Sequence, residues 1–251
     1  MGLVRDWSKR NILIILHPCS VPEVNLLKTT IMSLGGSMIV PDNVDVKFLK
    51  DFKRLVLDYI KKGNRMIIVC GGGSTCRKYQ DAASVLADTT KEDKDWIGIM
   101  ATRLNAELVR VMFKEYAYHE VIYNPHTKIK TDKRIIIGAG DKPGCTTDTD
   151  TAILAQQFKS HMIINTTNVD YVYDKDPNKF KDAKRITGLS WKEYFRMFGH
   201  KHTPGRHVPF DSIASAIASK SRMKVAVVNG KNLKNIAALL EGKKFKGTLI
   251  G

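Results

Sequence analysis

The chain has 251 residues, 43% of them apolar, which is enough to bury a core, and no apolar run reaches the ~18 residues of a membrane span. Lys and Arg number 41 against 25 Asp and Glu, a formal charge of +16 that favours anionic partners such as nucleotides. The four cysteines, Cys19, Cys70, Cys76 and Cys145, form no CxxC pair and suit a reducing compartment, which disfavours a zinc ribbon or a disulfide framework.

Residues 1–27 read as an N-terminal extension without an assigned role; its apolar stretch, Asn11 to Leu16, is closed by His17 and Pro18. Ile12 to Leu16 is too short for the core of a signal peptide, and Asp6 stands where a myristoylation signal needs a hydroxyl, so the cytoplasm is expected. From Thr29 an apolar strand runs into Gly35, Gly36 and Ser37, and Asp42, Asn43 and Asp45 then offer helix starts. Phe48, Leu49, Phe52, Leu55, Val56 and Ile60 recur at helical spacing until Gly63. Arg65 to Cys70 is a second strand, entering Gly71, Gly72 and Gly73.

After the polar stretch 87–95, a helical pattern is expected over Leu104 to Tyr118 and a strand over His119 to Tyr123. Ile135 to Ile137 is a strand that enters Gly138 and Gly140, passes Pro143 and Gly144, and starts a helix through Ala152, Leu154 and Phe158. Met162 to Asn165 is a strand, 166–177 a polar loop, and Leu189 to Phe195 a helix; 198–209 should be irregular. Phe210 to Ser221 and Leu233 to Leu240 read as helices, Lys224 to Val228 and Gly247 to Ile250 as strands. This βα alternation predicts one α/β domain with two lobes, built on a mostly parallel central sheet flanked by helices.

Parallel strands place their C-terminal ends on one side, so the three Gly-rich turns should share one edge of the sheet. Neither GxxxxGK[ST] nor GxGxxG is present, which disfavours a P-loop protein or a dinucleotide oxidoreductase. Several phosphate-binding turns on a common cleft suit one ligand with a long phosphate chain, or two phosphorylated ligands meeting end to end. A phosphotransferase needs the second arrangement. The basic residues are spread along the chain with no arginine-rich tract or RNA-binding signature, so nucleic acid is the lesser expectation.

The strings SLGGS (33–37), VCGGGSTCRKY (69–79), DWIGIMATRLNAELV (95–109), GAGDKPGCTTDTD (138–150), TTNVDYVYDKDP (166–177) and the terminal GTLI resemble the amino acid kinase superfamily. Within it they are most similar to the uridylate kinases, the archaeal-type branch above all. The resemblance covers about residues 29–251. It implies phosphoryl transfer from ATP to UMP with Mg²⁺ bound mainly through nucleotide phosphates, no metal cage of the protein's own, and a homo-oligomer, by resemblance a hexamer. It also implies an acceptor lobe over about 28–160 and an ATP lobe over about 161–251.

On the ATP side the resemblance implies Gly36, Ser37, Gly73, Arg77, Thr167, Tyr173 and Asp176, with Arg77 and Ser37 also serving catalysis. For UMP it implies Gly72 at the phosphate, Asp95 at the sugar, and the loop Asp141, Lys142, Pro143, Gly144, Cys145, Thr146 and Thr147 wrapped around the nucleotide. Other readings stay open at individual residues. Asp170 and Asp176 suit Asx turns, Arg103 suits a salt bridge, and His200, His202 and His207 match no standard metal spacing. Cys145 stands near a helix start, where a thiol pKa can fall.

Three positions depart from the family pattern: Ser33 where many relatives carry Lys, Ala216 in place of a late-helix Lys, and Tyr171 in place of Gly. Arg77, Lys142 and Lys220 are the candidate substitutes for the missing cations. Two further readings therefore stand beside a UMP kinase. One is another kinase of the superfamily, acting on acetylglutamate or isopentenyl phosphate; the other is a nucleotide-binding regulator with weakened turnover.

Overall fold

The strand Thr29–Leu34 is buried at five of its six residues, so both of its faces are covered and it belongs inside a parallel sheet. A computed structural model describes the chain over residues 28–175, 177, 179–200 and 208–251; the expectations for residues 1–27, Asp176, His202 and His207 lie outside these. In chain order the elements are β1 (Thr29–Leu34), α1 (Gly36–Ile39), α2 (Val46–Lys61), β2 (Arg65–Cys70), α3 (Gly73–Leu86) and α4 (Lys91–Met112). There follow β3 (Ala117–Ile122), β4 (Ile135–Gly138), α5 (Thr147–Gln157), β5 (Met162–Thr167), β6 (Val172–Tyr173), β7 (Arg185–Ile186) and β8 (Gly188–Leu189). The chain closes with α6 (Trp191–Phe198), α7 (Ser212–Lys220), β9 (Lys224–Asn229), α8 (Leu233–Leu240) and β10 (Thr248–Ile250).

Eight strands form one sheet in the order β3-β4-β2-β1-β5-β9-β10-β8, and β6 and β7 form a separate antiparallel pair. All neighbours in the large sheet are parallel except β9 and β10. One face packs Phe52, Val56, Val109, Phe113 and Ile236 against the sheet, and the other packs Leu154, Tyr194, Phe210, Ala214 and Ala218. The expected mostly parallel α/β sandwich is therefore what the sequence builds. β1 lies between β2 and β5, so the strand order reverses at its C-terminal end, where an open sheet leaves a crevice.

Several elements differ from the periodicity reading: Val172–Tyr173, expected within a loop, is β6, and Leu189, expected to open a helix, ends β8, with α6 starting only at Trp191 behind its Ser190 cap. α4 begins at Lys91, inside the polar stretch, because Thr90 and Asp93 form a reciprocal capping box there. It ends at Met112, and Ala117 already belongs to β3, so the expected helix Leu104 to Tyr118 starts too late and runs too far. α3 carries no inward apolar stripe at all, since its one buried residue is Ser74. Among the described residues no helix is long and apolar enough to cross a membrane.

Candidate active site

The turns after β1 and β2 interlock backbone to backbone. A Cβ on Gly36 would lie 2.0 Å from Gly73 N and 2.6 Å from Gly71 C, and a Cβ on Gly71 would lie 2.6 Å from Gly36 N. Gly73 has φ +68°, and its Cβ would stand 2.5 Å from Gly36 O. These glycines are required first by one another, which refines their reading as sites of ligand approach. β5 joins the same hub, because the Thr166 hydroxyl accepts from Gly35 N (3.0 Å) and donates to Ser33 O (2.9 Å). No side chain caps α3; the Ser74 N–H is spent on Val40 O (3.0 Å), and the N–H groups of Gly73 and Thr75 in the same turn suit phosphate oxygens. Ser37 on α1 is partly exposed and Arg77 on α3 is exposed beside this hub.

The loop after β4 is braced from α4. Asn105, buried, donates to Gly71 O (2.8 Å) and Gly72 O (3.1 Å). The Thr102 hydroxyl accepts from Gly140 N (2.9 Å), while Arg103 donates from Nε to Gly140 O (3.3 Å) and from Nη2 to Asp141 O (2.9 Å). Asp95 accepts from Gly144 N at 3.0 Å, which brings it onto the loop that the family resemblance assigns to UMP. Gly144, at φ +81°, makes the left-handed bend at the loop tip beside exposed Lys142 and partly exposed Pro143.

Thr146 caps α5 by accepting from Thr149 N, and it donates to Asp211, so its hydroxyl is occupied within the protein. The Thr147 hydroxyl has no hydrogen bond among the described residues. Burial raises the Cys145 thiol pKa, with Asp150 adding to the rise, so the helix-start argument for a reactive thiolate does not hold here.

A row of carboxylates lies where β1, α5 and α7 meet. Asp148 accepts from the Ser33 hydroxyl (3.2 Å), and Asp211 accepts from Thr149 Oγ1 (3.0 Å) while capping α7 through Ile213 N and Ala214 N. Asp150 is 1% exposed; one oxygen accepts from Asp141 N (3.3 Å) and the other has no partner. Enclosure raises Asp148 to about 7, reinforced by the charge of Asp211; enclosure likewise raises Asp150 to about 7. Sequence reasoning passed over Asp148, Asp150 and Asp211. The TTDTD run at a helix start was their visible signal, masked by the expectation of ordinary helix caps.

On the β5 side, the Thr167 hydroxyl donates to Val169 O (3.0 Å), and Tyr173 lies in β6. Asp170 is no Asx turn: it accepts from Asn229 Nδ2 (3.1 Å) and Lys246 Nζ (2.5 Å), tying the loop to β9 and the last turn. Tyr171 needs no positive φ, since among described non-glycine residues only Lys159 and Arg222 have one, and Arg185 stacks over its ring at 5.5 Å. His200 stacks on Phe195 at 4.3 Å. Ala216 and Lys220 are exposed on α7.

The amino acid kinase family model matches residues 28–229, which span β1 to β9 and the turns after β1, β2, β4 and β5. This chain belongs to the amino acid kinase family. Among similar family members, the uridylate kinase of Thermoplasma volcanium is 36% identical over 222 residues, covering 86% of this chain and 94% of that protein. That of Pyrococcus abyssi is 32% identical over 223 residues, covering 88% and 98%. The crystal structure of uridylate kinase from Archaeoglobus fulgidus superposes with a TM-score of 0.76 at 30% identity, covering 88% of this chain and 99% of that one. UMP kinase from Ureaplasma parvum, 22% identical with a TM-score of 0.70, shares the amino acid kinase fold.

Proposed function

We propose that this amino acid kinase is a UMP kinase, transferring the γ-phosphoryl group of ATP to UMP to give ADP and UDP, in the cytoplasm and in pyrimidine nucleotide synthesis. The observation that carries the reading is a pair of braced subsites meeting at the end of β1, in a chain whose archaeal relatives are named uridylate kinases along almost their whole length. The acceptor lobe, residues 28–160, supplies Gly72, Asp95 and the 141–147 loop to UMP. The ATP lobe, residues 161–251, supplies Thr167, Tyr173 and Asp176, while Gly36, Ser37, Gly73 and Arg77 reach the ATP phosphates from the hub. A UMP phosphate oxygen attacks the γ-phosphorus in line as the bond to the β–γ bridging oxygen breaks, so no covalent enzyme intermediate is needed.

The donor set fits Mg²⁺, which takes oxygen ligands and is commonly held by one or two carboxylates with substrate phosphates. Among the described residues no group of three or more His, Cys, Asp or Glu could hold a metal alone. Asp148 and Asp211 would hold the ion together with the nucleotide, and the ion supplies charge neutralisation on the phosphates.

A homo-oligomer, a hexamer by family resemblance, completes the reading. It is supported by the outer face of α4, where Trp96, Met100, Leu104 and Val111 are exposed in a stripe. The acidic first turn of α4, Glu92 and Asp93, and its basic last turn, Arg110, would complement each other in an antiparallel pair with a second copy.

The test is ADP release from ATP and Mg²⁺ with UMP, acetylglutamate or isopentenyl phosphate as acceptor. Turnover with UMP alone is expected. Turnover only with another acceptor would assign a different kinase of the family, and tight UMP and ATP binding without turnover would assign a regulator.

A further inference from the structure

Helix α4 lies behind the acceptor half and holds its loops through side chains that no substrate contact requires. The chain leaves β4 at Gly138, so the carbonyls of Gly140 and Asp141 have no strand partner. Both are taken by one guanidinium, from Nε at 3.3 Å and Nη2 at 2.9 Å. The ring of Tyr123 lies 4.5 Å from the Arg103 Cζ and fixes the plane of the fork. The partners are carbonyl oxygens of one loop, which makes Arg103 a loop clamp and not the surface ion pair its position suggests.

Peptide planarity gives this clamp a direction. In a trans peptide the N–H points opposite to the C=O, and no described peptide is cis. The N–H of Asp141, opposite the Gly140 carbonyl, is spent on Asp150 at 3.3 Å. The N–H of Lys142, opposite the Asp141 carbonyl, has no hydrogen bond among the described residues and faces away from Arg103. We infer that Arg103 is a positioning residue of the acceptor subsite: by holding the Gly140 and Asp141 carbonyls it turns the Lys142 N–H and the following loop toward the acceptor anion. It acts through the backbone and does not touch the transferred phosphoryl group.

The inference rests on the acceptor reading of the 141–147 loop. Steady-state kinetics of Arg103→Ala and Arg103→Lys, varied separately in UMP and ATP, test it. Arg103→Ala is expected to raise KM for UMP about tenfold, the scale of one charge-assisted hydrogen bond, with KM for ATP and saturated kcat nearly unchanged. Methylguanidinium added to Arg103→Ala should restore UMP affinity and leave ATP affinity alone. Arg103→Lys keeps the charge and most of the stem but loses the fork, so it should show the same split if the alanine variant fails to fold.

Equal losses for UMP and ATP would make Arg103 general scaffolding, and a collapse of kcat at unchanged UMP KM would place it on the reacting phosphate; either overturns the inference. Thr147→Ala separates this from the acceptor reading itself. Normal UMP binding by Thr147→Ala overturns both, whereas selective UMP loss there beside a wild-type UMP KM in Arg103→Lys overturns the clamp alone.

Discussion

Asp150 carries the clearest pH signature of any described residue. It is buried with one unpartnered oxygen, and its pKa rises from an ordinary 3.8 to about 7. Between those values the folded chain keeps a proton that the unfolded chain has released, so stability from this group is full at low pH and is lost as pH rises through 7. The loss is on the order of 4 kcal/mol across that window. The melting temperature of the free protein should fall as pH rises from about 5 to about 7 and level off above that, and Asp150→Asn should flatten that slope; an unchanged slope would place the proton elsewhere. Asp148 shifts in the same direction, so some slope should remain.

Thr147 is the second residue with a sharp expectation, because its hydroxyl has no partner within the described protein whereas that of Thr146 is engaged by Asp211. Thr147→Ala should weaken UMP by about tenfold in calorimetry, the scale of one lost hydrogen bond to a charged group, with ATP unaffected. At this scale the sequence showed residue types but not their allegiance. Hydroxyls and carboxylates in TTDTD read alike on paper, and only distance separates Thr146, which serves Asp211, from Thr147, which is free to serve a ligand.

At the scale of elements, the glycine turns make opposite predictions at superficially similar positions. Gly36→Ala would put a methyl 2.0 Å from Gly73 N, a backbone collision that no rotamer relieves, and should cost at least about 3 kcal/mol, read as a large fall in Tm or in soluble protein. Gly144→Ala meets nothing within 4 Å and bears only the strain of φ +81°, so about 1 kcal/mol is expected. Strand positions and the glycine turns were legible because buried parallel strands are continuous apolar runs. α3 and α4 were not. Their buried residues include Ser74, Thr102 and Asn105, while Trp96, Met100 and Leu104 face outward, which inverts the pattern that periodicity detects.

For the whole molecule, that inverted pattern is itself a signal. Large apolar side chains lie on the outside of α4, with Tyr79, Val85 and Leu86 exposed on the neighbouring α3, and the proposed homo-oligomer would cover them. Leu104→Glu should shift the protein to a smaller species in light scattering or sedimentation, and an unchanged mass would remove α4 from the interface. The α/β alternation made the sheet, and the shared edge of its glycine turns, readable from the chain alone. The site was half readable: its loops were placed, but the carboxylate floor and the α4 braces arise from packing between segments far apart in sequence.

The contact of Gly36 with Gly71 and Gly73 reaches beyond packing. Where two loops share a backbone interface, neither can shift alone, so a ligand that orders the β1 turn has already spent part of the entropy of ordering the β2 turn. ATP and UMP should therefore favour each other's binding, and the factor by which ATP tightens UMP must equal the factor by which UMP tightens ATP. Two titrations with a non-hydrolysable ATP analogue, run in opposite order, should return one and the same coupling.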